Sequence, residues 1–171
     1  PAYATSQINK EHYIPIDGWA ENLVDMESKF QLSLKAPQNE ADLFFENDRL
    51  YLGFTLQAWW QVYSDNISKP FRESNYLPEI FYLAPLDWHP FGGNTGVVVG
   101  FEHQSNGRSQ LLSRSWNRLY GHFLFEKDDF ALSFKPWHRI KEDTKEFPLA
   151  PDGDDNPDIL DYMGRFEISM V

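Results

Sequence analysis

Leu50-Tyr51-Leu52-Gly53-Phe54-Thr55-Leu56-Gln57-Ala58-Trp59-Trp60-Gln61-Val62-Tyr63 is the stretch whose reading decides the fold. Side chains alternate across a strand with a period of two, so Leu50, Leu52, Phe54, Leu56, Ala58, Trp60 and Val62 share one face while Tyr51, Gly53, Thr55, Gln57, Trp59 and Gln61 share the other. The stretch reads as a long strand with one apolar face. The same rhythm returns in Phe30-Gln31-Leu32-Ser33-Leu34-Lys35, in Phe130-Ala131-Leu132-Ser133-Phe134-Lys135 and in Gly164-Arg165-Phe166-Glu167-Ile168-Ser169-Met170, with charged or polar residues on the second face. Polar breaks with turn chemistry fall at 37–48, 64–78, 87–96, 127–129 and 141–161, which gives an expectation of about seven strands.

Bulk properties narrow the class. The 171 residues are a single-domain length, and 6 Trp, 8 Tyr and 14 Phe favour strands and membrane interfaces. A formal charge of -11 excludes nonspecific binding to nucleic acid or to an anionic membrane surface, so any lipid contact must be apolar. Without cysteine there is neither a disulfide framework nor a cysteine-ligated zinc site. No window approaches the roughly 18 apolar residues of a membrane helix, which leaves open a membrane β-barrel, whose strands alternate instead. Gln, Arg, Glu, Lys and Ser on the second faces suit a wet lumen, and Trp60, Tyr63 and Trp137 near strand ends read as an aromatic girdle. The fold expected is therefore all-β, an antiparallel transmembrane barrel, although a soluble β-sandwich also alternates. The chain opens Pro1-Ala2-Tyr3 with no basic and apolar leader, so any signal peptide is expected to have been removed or never present. Bacterial single-chain barrels close on an even number of strands, so about seven strands ending at Val171 are expected to be the front of a longer barrel, with residues 1–171 a single domain truncated at its C-terminus.

The chemistry concentrates in Val97-Val98-Val99-Gly100-Phe101-Glu102-His103-Gln104-Ser105. A two-residue period puts His103 and Ser105 at the end of the face that carries Val97, Val99 and Phe101. Their Cα atoms are then about 6.5 Å apart, within reach for a His nitrogen to take a proton from a Ser hydroxyl. A His-x-Ser pair by itself is weak evidence. In Trp116-Asn117-Arg118-Leu119-Tyr120-Gly121-His122-Phe123-Leu124-Phe125, Asn117 shares a face with Leu119, Gly121, Phe123 and Phe125, so a polar amide interrupts an apolar face beside the His-Ser strand. An Asn carbonyl can accept the second ring N–H of His103 and fix the tautomer that acts as base. Residues 106–115 connect the two strands as a short polar loop in which Gly107 permits close backbone approach.

His103-Gln104-Ser105-Asn106-Gly107-Arg108-Ser109, followed by Ser113-Arg114-Ser115-Trp116-Asn117-Arg118-Leu119-Tyr120, resembles the active-site signature of the outer-membrane phospholipase A family. Trp19-Ala20-Glu21-Asn22, Lys29-Phe30-Gln31-Leu32-Ser33-Leu34, Pro70-Phe71-Arg72-Glu73, Lys135-Pro136-Trp137 and Asp155-Asn156-Pro157-Asp158 extend the likeness over nearly the whole chain. The resemblance implies a twelve-stranded barrel in the bacterial outer membrane, of which this chain is the first half to two-thirds. It implies catalytic residues facing the lipid, with Ser105 as nucleophile, His103 as base, Asn117 orienting the base and the Gly107 amide in the oxyanion hole. It also implies Ca2+ held between the protomers of a homodimer by the Arg108 carbonyl, the Ser113 hydroxyl and a Ser68 carbonyl contributed by the partner protomer. Carbonyls, a hydroxyl and waters suit a hard cation. Gln104 and Gln110-Leu111-Leu112 depart from the more acidic residues of the family, which bears on calcium affinity more than on the chemistry.

Other features read as structural. Asp152-Gly153-Asp154-Asp155-Asn156-Pro157-Asp158 lacks the EF-hand glycine and final glutamate, and is expected to be a solvated acidic turn. His12, His89, His122 and His138 show no paired metal spacing, although His122 is placed to join a lumen network. Three functions remain. The first is calcium-dependent hydrolysis of phospholipid acyl esters, covering phospholipase A1, phospholipase A2 and lysophospholipase activity. The second is a non-enzymatic barrel, either porin or adhesin scaffold, and the third a soluble β-sandwich hydrolase.

Overall fold

The computed structural model describes residues 2–4, 8–108, 112–147, 150 and 152–171. Eight strands follow one another in chain order in one antiparallel sheet, each hydrogen-bonded to the next: β1 (Ala2–Ala4), β2 (Met26–Pro37), β3 (Arg49–Trp60), β4 (Phe71–Leu86), β5 (Asn94–Ser105), β6 (Ser115–Lys127), β7 (Phe130–Ile140) and β8 (Phe166–Met170). Six of them run 11 to 16 residues, against the five or six typical of globular proteins, a length that crosses a bilayer at a tilt. Two short helices, α1 (Lys10–Tyr13) and α2 (Ile159–Met163), lie outside the sheet. No helix among the described residues is long and apolar enough to cross a membrane.

Side chains that reach over an intervening strand identify the inside of the curl. Tyr120 on β6 donates to Glu79 on β4 (2.6 Å), Lys135 on β7 to Glu102 on β5 (3.2 Å), and Arg72 on β4 to Glu27 on β2 (2.5 Å). The first of these crosses Gly100, where a Cβ would sit 2.5 Å from the Tyr120 ring, so the inner face needs a glycine there. Polar residues are buried on this face and apolar ones exposed on the other: Glu102 is 4% exposed, whereas Val99 is 59% and Leu119 50%. A soluble sandwich would show the reverse, so that reading falls.

Several strand limits differ from the sequence reading. The sheet has eight strands instead of seven, because the three-residue β1 carries too short an alternation to recognise. β3 stops at Trp60, short of Val62 and Tyr63. The break expected at 64–78 ends at Pro70, because β4 starts at Phe71 and runs straight through Pro78. A proline normally argues against a strand interior, yet Pro78 pairs with Phe54 on the β3 side. Toward β5 the ladder pairs Tyr76 with Ser105 and Glu79 with Glu102 and skips Leu77 and Pro78, so the missing N–H falls where no ladder bond forms. β5 likewise begins at Asn94, inside the break expected at 87–96. Trp137 is not part of an outer girdle. It pairs in register with inward-facing Tyr120, and its ring lies 5.0 Å from the Arg118 guanidinium on the inner face.

A small apolar cluster closes the rim at which β5 ends. Ile8, Tyr13, Ala20 and Leu23 pack with Leu112 from the β5–β6 loop, and Trp19 lies against them. The Tyr13 hydroxyl accepts from Arg72 and Arg114, tying this N-terminal segment to β4 and to the same loop.

Candidate active site

One register sets both faces of the β5–β6 pair, because Glu102 pairs with Arg118 and His103 with Asn117. On the inner face Arg118 bonds Glu102, its guanidinium lies 4.4 Å from the Trp116 ring centroid, and Lys135 takes the second Glu102 oxygen. On the outer face His103 Nδ1 donates to Asn117 Oδ1 at 2.8 Å. The Asn117 amide nitrogen donates in turn to Glu142 Oε1 at 2.7 Å. A slip of one residue would break the inner ion pair and the outer His-Asn pair together.

Ser105 lies on the outer face two residues beyond His103, opposite Ser115 on β6 and Tyr76 on β4. Among the described residues no hydrogen bond joins its hydroxyl to the His103 ring. The structure thus brings His103 and Asn117 into contact and leaves Ser105 on the same face beside them. Gly107 follows with φ +65°, a left-handed conformation that favours glycine, and a Cβ there would lie 3.5 Å from the Tyr76 ring.

Asn106 holds the loop between the strands. Its amide nitrogen donates to the Leu112 carbonyl (2.8 Å) and to Glu73 Oε1 (3.1 Å), and its oxygen accepts from the backbone amides of Arg108 (3.2 Å) and Arg114 (3.0 Å). Arg114 Nη1 reaches the other Glu73 oxygen at 3.0 Å. Burial opposes the Arg114 charge, but Glu73 and the Tyr13 hydroxyl outweigh it and hold its pKa above the ordinary value. Arg108 pairs with Asp17 at 2.7 Å. Gln110 and Leu111 lie outside the described residues.

The acidic stretch 152–158 is not merely a solvated turn. Asp154 makes a two-pronged ion pair with Arg139 (2.6 and 2.7 Å), Asp155 accepts from Ser113 Oγ (2.5 Å) and pairs with Lys145 (2.5 Å), and Asn156 accepts from the Ser115 amide (3.1 Å). The bonds from Ser113 and Ser115 span 42 and 41 residues of chain, beyond what composition alone reveals. His122 faces the interior, but its Nε2 is buried with no hydrogen-bond partner among the described residues, so the expected network does not include that atom there. Ser68 is exposed in the β3–β4 loop, on the rim that also carries Arg108 and Ser113. Ser113 brings a hydroxyl against the Asp155 carboxylate, and Arg108 in the same loop offers a backbone carbonyl; these are oxygen donors, which fit calcium and suit no soft metal. Among the described residues no group of three His, Cys, Asp or Glu side chains forms a metal cage, so most of any such coordination must come from backbone and water.

A family model described as Phospholipase A1 matches residues 1–171. Phospholipase A1 of Escherichia coli (strain K12) is 39% identical over 168 residues, 97% of this chain and 54% of that protein. A putative phospholipase A1 of Neisseria meningitidis serogroup B is 40% identical over 147 residues, 84% of this chain and 37% of that protein. Among solved structures, outer membrane phospholipase A from Escherichia coli superposes with a TM-score of 0.83 at 38% identity, over 99% of this chain and 66% of that one. A Salmonella typhi outer membrane phospholipase, solved as a dimer with bound calcium, superposes with a TM-score of 0.82 at 37% identity, over 99% of this chain and 62% of that one. The chain spans about half the length of the curated relatives it matches. Its inverted polarity and strand order, joined to this likeness over its full length, make it part of an outer-membrane β-barrel, and the chain belongs to the phospholipase A1 family.

Proposed function

We propose that the barrel to which these 171 residues belong as a single unit hydrolyses phospholipid acyl esters, with phospholipase A1, phospholipase A2 and lysophospholipase activity. The observation that carries this reading is the 2.8 Å bond from His103 Nδ1 to Asn117 Oδ1 on an outward, apolar face. With its Nδ1 proton given to an amide oxygen, the ring keeps a lone pair on Nε2 for the Ser105 hydroxyl. Ser105 Oγ then attacks the acyl carbonyl carbon as His103 Nε2 takes its proton. Collapse of the tetrahedral adduct releases the lysophospholipid alkoxide, which recovers that proton from His103. Water, activated by the same nitrogen, frees the fatty acid from Ser105. The Gly107 amide is assigned to the oxyanion, on a backbone whose φ of +65° turns the loop sharply after Asn106. An outward site meets acyl chains where they already lie, without drawing them from the membrane.

Calcium is assigned to the Arg108 carbonyl and the Ser113 hydroxyl, with a Ser68 carbonyl of a second protomer completing the site. The bound calcium and the dimer of the Salmonella typhi relative support calcium and a second protomer, and the oxygen donors of Arg108 and Ser113 suit that ion. Held by the Arg108 carbonyl and the Ser113 hydroxyl, calcium would supply positive charge to stabilise the developing oxyanion. Activity then requires calcium and a homodimer.

The test is Ser105→Ala in the complete barrel, assayed with saturating calcium on mixed phospholipid and detergent micelles. Loss of at least about a thousandfold in kcat is expected for removal of a nucleophile. Retained calcium-dependent hydrolysis would rule out the assignment.

A further inference from the structure

Glu142 lies just beyond β7, and nothing in its immediate sequence marks it for a role. The segment that carries it is nevertheless fixed from both sides. Ile140 pairs with Asn117 in the β6–β7 register, and the Asp143 carbonyl accepts from the Asp154 amide at 2.7 Å. Asp154 is itself anchored by its two bonds to Arg139. The result is a half-buried carboxylate held 2.7 Å from the Asn117 amide nitrogen.

Resting on the reading of His103 as base, we propose that Glu142 is a positioning residue that sets which way the Asn117 amide faces. An asparagine side chain presents an acceptor and a donor of nearly the same shape, and a half-turn about its last bond exchanges them. The His103 ring alone selects only weakly between the two, because a neutral imidazole can donate from Nδ1 to the oxygen or accept there from the nitrogen. The second arrangement moves the ring proton to Nε2 and removes the lone pair that Ser105 needs. An ionised carboxylate is acceptor only, so Glu142 draws the Asn117 nitrogen to itself and leaves Oδ1 for His103. Glu142, Asn117 and His103 thus form a directional chain in which every donor points toward Glu142. A neutral amide stands in the orienting position, and a carboxylate one bond further out supplies the polarity the amide lacks.

The chain makes a rank-order prediction for three variants of the complete barrel in detergent with saturating calcium. Glu142→Gln retains an acceptor oxygen and is expected to lose less than about threefold in kcat. Glu142→Ala removes the bias and is expected to lose about tenfold. Glu142→Lys presents only donors, attracts the Asn117 oxygen and is expected to lose about a hundredfold, in the direction of the wrong-tautomer penalty known for triads. KM is expected to stay within about twofold in all three, because Glu142 touches no substrate. Covalent labelling of Ser105 by a sulfonyl fluoride should slow in the same order, and heat-resistant migration of each folded barrel should be unchanged. Equal kcat values for all three variants, or losses that track a loss of folded barrel instead of the order Gln, Ala, Lys, would overturn the inference. Ser105→Ala in the same assay separates the two questions. If it is inactive and the Glu142 series is flat, only the role of Glu142 falls, and if it is active the base assignment itself falls.

Discussion

Asn106 uses one donor and its acceptor on the loop that separates Ser105 from Asn117 and its other donor on Glu73 of β4, and it does so while only 6% exposed. Asn106→Ala leaves the Leu112 carbonyl and two backbone amides without their partner, at a cost on the order of 2 kcal/mol. Asn106→Asp has almost the same shape, yet it replaces the donor facing Glu73 with a second carboxylate. It is therefore expected to be no better than alanine, with a lower urea midpoint and a higher calcium concentration for half-maximal hydrolysis than the parent. A near-normal Asp variant would mean that the Glu73 contact carries nothing. Asp48 does comparable work at the opposite rim, where its carboxylate accepts from the amides of Leu43, Phe44 and Phe45 and from the Tyr82 hydroxyl. Burial by itself would raise its pKa, but these hydrogen bonds prevail and hold it well below the usual carboxylate range. A depressed pKa means that the unfolded chain takes up the proton first. The contribution is complete above about pH 4, where Asp ionises in an unfolded chain, and is lost as the pH falls from there toward the folded value. Asp48→Asn lacks the contribution at every pH. Its unfolding midpoint is therefore expected to lie below the parent's at pH 7, and the gap to narrow below pH 4, as measured by urea unfolding across pH 3 to 8.

At the scale of strands, what the sequence discloses is what repeats locally. The phase of Val97, Val99, Phe101, His103 and Ser105 depends only on a two-residue period, and β5 follows it from Asn94 to Ser105. Asn117 could be placed beside His103 for the same reason, since hairpin neighbours share faces, and the register pairs the two directly. Glu142 could not, because it reaches Asn117 from 25 residues away through a segment without strand or helix periodicity. Trp137 misled for a related reason: an aromatic residue near a strand end is common to an outer girdle and to an inner cation–π stack, and only pairing with Tyr120 distinguishes them. Pro78 misled because proline removes a donor, which matters only on the side of a strand where a ladder bond would form. The inner ion pair of Glu102 and Arg118, both under 9% exposed, explains how a polar outer pair is kept in register without apolar packing of its own. The Glu102–Arg118 pair supports the strand register from the lumen side and leaves the outer face free for the proposed chemistry.

The molecule as a whole reverses the usual arrangement of polar and apolar surface, and that reversal has a measurable consequence. Leu32 on β2 and Leu56 on β3 are cross-strand partners on the outer face, Leu32 being 54% exposed, while the neighbouring pair Ser33 and Thr55 joins hydroxyls on the inner face at 2.9 Å. In water an exposed leucine and a half-buried threonine would both accept arginine with little change. In a bilayer the two positions differ, because a charge at mid-membrane on the lipid side must leave water while one in a wet lumen need not. Leu32 sits near the middle of a 12-residue strand, far from either rim. Leu32→Arg is therefore expected to destabilise the complete barrel by about 2–4 kcal/mol in lipid vesicles, and Thr55→Arg by less than about 1 kcal/mol. Reversible urea unfolding into vesicles measures both. The pair also controls for the size and charge of the arginine side chain, which are common to the two variants. If Thr55→Arg proved the costlier change, the polar face would be the one against lipid, and the outward placement of His103, Ser105 and Asn117 on which the proposed chemistry depends would have to be abandoned.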